Sequence, residues 1–81
     1  MGTSYEEEAC RNKAGEKDPM LVTGISEMNE RCGLLHDTHR MLSATLVEVA
    51  SVYLSTCTMS DIMSKSWPKS FYRMCDAFRY K

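Results

Sequence analysis

Three side chains with metal and nucleophile chemistry stand close together in the middle of this chain. Cys32, His36 and His39 fall at i, i+4 and i+7, so an unbroken helix would carry all three on one face. Thiolate sulfur and neutral imidazole nitrogen are zinc ligands, and a fourth could come from Cys10 or Cys75. The same residues can be drawn as a Cys–His nucleophile pair, which would still need an orienting group and an oxyanion site. Two features weigh against both. Gly33 follows Cys32 directly and can end a helix there, and the paired short spacings of structural zinc sites are missing. No Gly-rich phosphate loop, GxSxG or HExxH is present. The expectation is a protein that is not an enzyme and needs no metal or cofactor.

Cys10, Cys32, Cys57 and Cys75 form an even set in a chain of 81 residues, which fits a disulfide framework. Reduced thiols inside the cell are favoured over paired ones, because cysteines on packed helical faces serve as small apolar residues. Were residues 32–57 one helix, Cys32 and Cys57 would stand roughly 37 Å apart. Folding that helix back at Gly33 puts the two cysteines at opposite ends of a hairpin. Helical geometry thus argues against this pair and leaves Cys10–Cys57 or Cys57–Cys75.

A second candidate lies in the tail. Residues 64–81 hold five of the seven aromatics, Trp67, Phe71, Tyr72, Phe78 and Tyr80. They also hold Lys65, Lys69, Arg73, Arg79 and Lys81 against one acid, Asp76, so the tail is +4 while the remainder is −5. Such a segment can dock in a partner's groove, lie on a membrane surface, or stack bases. It can also fold back on its own chain, which is favoured because the central apolar segment otherwise has too little to pack against. Among the functional readings protein docking leads. The net charge of −1 disfavours nucleic acid as a partner of the whole chain.

The elements that must position these residues follow from apolar spacing. Asp18-Pro19 predicts a helix start, with Asp as cap and Pro at the first position. From Leu21 the apolar steps alternate four and three through Ile25, Met28, Cys32, Leu35, His39, Leu42, Leu46, Val49 and Tyr53. That is heptad spacing. Val47, Ala50, Val52 and Leu54 widen the stripe beyond a two-stranded zipper, and the flanks lack a complementary charge pattern. Thr45, Val47, Val49, Val52 and Thr56 are β-branched, yet strict alternation fails, so helix is preferred to strand. Met41–Cys57 is too short, and Glu48 too central, for a membrane span. Trp67-Pro68 interrupts the chain, and Phe71, Met74, Cys75 and Phe78 then predict a last helix.

The sequence therefore predicts an all-α protein, a small helical bundle built on one long amphipathic helix or helix hairpin with a short C-terminal aromatic helix. Residues 1–17, polar and containing Glu6-Glu7-Glu8, are expected to be a flexible acidic arm, and 18–81 a single helical domain. The expected role is a non-catalytic protein–protein interaction module, self-associating or a small subunit or adaptor of a larger assembly. Contact would run through Leu35, Leu42, Leu46, Val49 and Tyr53 on the seam, with Trp67, Phe71 and Phe78 from the tail. No apolar run opens the chain, so no secretory leader is expected and an intracellular location is favoured. The alternative is a secreted helical signalling or effector peptide held by disulfides.

Overall fold

In the computed structural model, residues 13, 14 and 18–79 are described, Arg79 by its backbone alone. They form a mostly helical globule without strands, 76% helix. The first helix, α1, is Pro19–Cys32; Asp18 accepts a hydrogen bond from the Met20 N–H, and Pro19 sits in the first turn. Gly33 ends it in the left-handed conformation (φ 74°), a backbone that glycine adopts without strain. A 3-10 turn at Leu35–Asp37 leads into α2, Thr38–Leu42, and a second break at Ser43–Thr45 precedes α3, Leu46–Thr56. Thr45 caps α3 through the Glu48 N–H, and Thr58 caps the short α4, Met59–Met63, through the Asp61 N–H. The last helix, α5, is Lys69–Arg79.

The seam is thus cut twice, and neither one long helix nor a simple hairpin is present. Leu21, Ile25 and Met28 from α1 and Leu46, Val49 and Tyr53 from α3 are buried. Between the cuts the pattern slips: Leu35 is 58% exposed, His39 is exposed and Leu42 half-buried, while Met41 takes the core position. The two breaks let the 3-10 turn and α2 fold onto α1, and the C-terminal ends of α1 and α3 then meet at Cys32 and Cys57. Of the segment 1–17, the structure describes Lys13 and Ala14. The Ala14 N–H donates to the Ala44 carbonyl at 2.7 Å, Lys13 bridges to Thr45, and Ala14 is buried. The other residues of that segment, Cys10 included, lie outside the described residues, as do Tyr80 and Lys81.

The tail closes the core. Trp67, Phe71, Met74 and Cys75 are buried, and the Trp67 and Phe71 rings stack at 4.2 Å between centroids. Tyr53 meets both, tilted against Trp67 at 5.8 Å and edge-on to Phe71 at 6.3 Å. The Trp67 indole N–H donates to the Ile62 carbonyl at 2.7 Å. The Tyr72 hydroxyl accepts from the Trp67 N–H and donates to the Lys65 carbonyl, which pins the turn before α5. Gly24, a weak helix former inside α1, is explained by the same ring. A Cβ built there would stand 2.6 Å from Trp67 Cζ3.

Gly24→Ala tests that packing. In an open helix the change would stabilise by about 1 kcal/mol. Here the clash reverses the sign, and a net loss of about 1–2 kcal/mol is expected, read as a lower urea midpoint at unchanged slope.

Candidate functional site

The C-terminal ends of α1 and α3 hold the most distinctive polar and thiol chemistry among the described residues. Asn29 is fully buried, the one polar residue in the core among those described. Its Oδ1 accepts the Tyr53 hydroxyl at 2.6 Å, and its Nδ2 donates to Thr38 Oγ1 at 3.1 Å and approaches Met41 Sδ at 3.3 Å. The Tyr53 hydroxyl also lies 3.4 Å from the Ile25 carbonyl. One side chain from α1 therefore ties α2 and α3 to it, and every buried side-chain polar atom among the described residues has a partner. Burial drives the Tyr53 phenol well above its ordinary range, with Cys57 and Cys32 adding to the effect.

One turn further along both helices, Cys32 and Cys57 face each other with their Sγ atoms 2.8 Å apart. Cys32 closes α1, and Cys57 follows α3 in an extended conformation (φ −118°, ψ 156°). Both are partly exposed. Desolvation by burial, then the hydrogen bond and charge of Cys57, with Asp61 adding and Arg31 opposing, push the Cys32 thiol up to about 11. Cys32 therefore carries its proton at neutral pH.

This pair overturns the geometric argument that kept Cys32 and Cys57 apart. A single break would place the cysteines at opposite ends; with the second break at 43–45 the two helix ends meet. Thr45-Leu46-Val47-Glu48 is a capping-box sequence, and it was the available signal for the second break. Asn29, two positions from Arg31 and beside Glu30, carried no signal of burial in the sequence.

The other expected site residues divide. Leu46, Val49, Tyr53, Trp67 and Phe71 are brought together, but inside this chain's own core. Leu35 is exposed between the two breaks, and Leu42, half-buried there, packs against the edge of that core. Phe78 is half-buried and lines an open apolar groove with Val47, Glu48, Ser51 and Val52 of α3. His36 and His39 are exposed beyond the Gly33 turn and do not converge with Cys32; among the described residues no three His, Cys, Asp or Glu side chains could hold a metal ion together. No helix among the described residues is long and apolar enough to cross a membrane. No protein-family model, curated protein or solved structure matches the chain.

Two outcomes are expected. Tyr53→Phe keeps the ring contacts but removes the hydroxyl from Asn29 Oδ1 and should cost about 1–3 kcal/mol in chemical denaturation. The alkaline limb of stability carries the second. Cys32 binds its proton more tightly folded (about 11) than unfolded (9.0), so its contribution is complete below pH 9 and is lost as pH rises through 11. Urea midpoints measured across that window should fall, and Cys32→Ser should flatten the decline.

Proposed function

We propose that this chain is a non-catalytic protein–protein interaction module, a small subunit or adaptor built as a self-contained helical bundle. The observation that carries the reading is the groove between α3 and α5. Val47, Val52 and Phe78 give it an apolar floor of about 430 Å³ capacity, and Glu48 and Ser51 stand at its rim. These apolar side chains pack against the core on one side and are only partly buried, so part of their apolar surface stays open to solvent. The proposed occupant is an amphipathic helix of a partner protein, with an apolar side chain over Val47 and Val52 and a cation against Glu48.

In this reading Leu46, Val49, Tyr53, Trp67 and Phe71 support the module from within, and contact falls to Phe78 and its neighbours. Self-association through the buried part of the seam would require the monomer to open, at the cost of the Asn29–Tyr53 hydrogen bond and the aromatic cluster. The secreted, disulfide-held signalling or effector peptide is a second reading, favoured by one observation, the 2.8 Å approach of Cys32 and Cys57.

A photo-crosslinking residue at position 52, with the same residue at exposed Glu30 as control, tests the groove in the native cell type. Discrete intermolecular adducts from position 52, absent from position 30 and removed by Val47→Asp, are expected. Adduct mass identifies the partner or a second copy. Equal labelling from both positions, or cross-links confined to the chain itself, would overturn the reading.

A further inference from the structure

We infer that Cys32 and Cys57 form an oxidisable pair that closes into an intramolecular disulfide, stapling the C-terminal ends of α1 and α3. The two Sγ atoms lie 2.8 Å apart although the residues are 25 positions apart in sequence. A disulfide needs about 2.05 Å, so closure requires a further approach of about 0.8 Å. Both cysteines sit where a helix stops, Cys32 as the last residue of α1 and Cys57 just past α3. The shift can therefore be taken up by side-chain rotation and terminal backbone, with helix interiors undisturbed.

The approach is held from below. Tyr53, four positions before Cys57, hydrogen-bonds Asn29, three positions before Cys32, and both residues are fully buried. This pins the two helices to each other one turn inside the thiols. The partial exposure of both cysteines gives a small oxidant access.

The chemistry is thiol–disulfide exchange with a low-molecular-weight disulfide such as oxidised glutathione. The Cys57 thiolate, its proton passed to solvent, attacks one sulfur of the oxidant, whose S–S bond breaks and releases one glutathione thiolate. The Cys32 sulfur, losing its proton, then attacks Cys57 Sγ in the mixed disulfide and expels the second glutathione. In sum two protein thiols lose two protons and two electrons, and one oxidant disulfide becomes two thiols. Cys32 resolves because its sulfur already lies beside that of Cys57. The pair would stand open in a reducing compartment and closed in an oxidising one.

The experiment uses the full wild-type chain in an excess of oxidised glutathione, quenched by acid, alkylated and digested with trypsin without reduction. The expected product joins the fragments 32–40 and 41–65, which carry Cys32 and Cys57. It should form equally in Cys10→Ser/Cys75→Ser. The oxidised chain should melt roughly 10 °C or more above the reduced one, a gain absent from Cys32→Ser and from Cys57→Ser. Closure should be unaffected by Val47→Asp, so it stands or falls apart from groove binding. A cross-link mapping to Cys10 or Cys75 with Cys32 and Cys57 both alkylated would overturn the inference. So would a chain that keeps its helical circular dichroism while all four thiols stay open.

Discussion

The hydrogen bond from the Tyr53 hydroxyl to Asn29 is the constraint around which this small core is arranged. A buried amide and a buried phenol are each costly unless paired, and here each satisfies the other at 2.6 Å. Asn29 spends its remaining donors on α2, at Thr38 and Met41, so the segment that reverses the chain is tied to the helix it reverses along. The Tyr53 ring, held by its hydroxyl at one end, becomes the wall against which Trp67 and Phe71 pack. Register between α1 and α3 follows, and with it the meeting of Cys32 and Cys57.

The helical class, the start at Asp18-Pro19, the break at Trp67-Pro68 and the last helix were all legible in the sequence. They rest on local chemistry, namely a cap, a proline and a one-face apolar pattern. The return of the tail onto the central segment was also legible, because that segment needed cover. The long seam was not what its spacing implied. A four-three alternation is kept by any succession of helices whose breaks happen to preserve phase, and spacing alone cannot tell a continuous helix from three pieces. Gly33 marks the first break as a possible helix end, and the second carries the Thr45-x-x-Glu48 signature. The site at the helix ends depends on both breaks acting together, so it lay beyond periodicity. Asn29 is the clearest case, a polar residue among charged neighbours whose burial is decided by a tyrosine 24 positions later.

This division bears on function. Five of the eight side chains expected to meet a partner are occupied in the chain's own interior, which moves any contact surface from the seam to what the seam leaves outside. Two surface ion pairs, Arg40–Asp37 and Lys65–Glu27, are exposed or partly exposed and contribute little to holding the fold. Cohesion comes from the aromatic cluster and the two polar side chains beneath it.

The notch at Gly24 has a temporal side. α1 is made early and carries a gap shaped for an indole ring that the ribosome adds only after α2, α3 and α4. Until Trp67 emerges, α1 can be helical and can even meet α3, yet its central face stays open to water. Completion of the fold is therefore coupled to completion of most of the chain, and a nascent fragment ending before Trp67 exposes an apolar hollow rather than a smaller finished core.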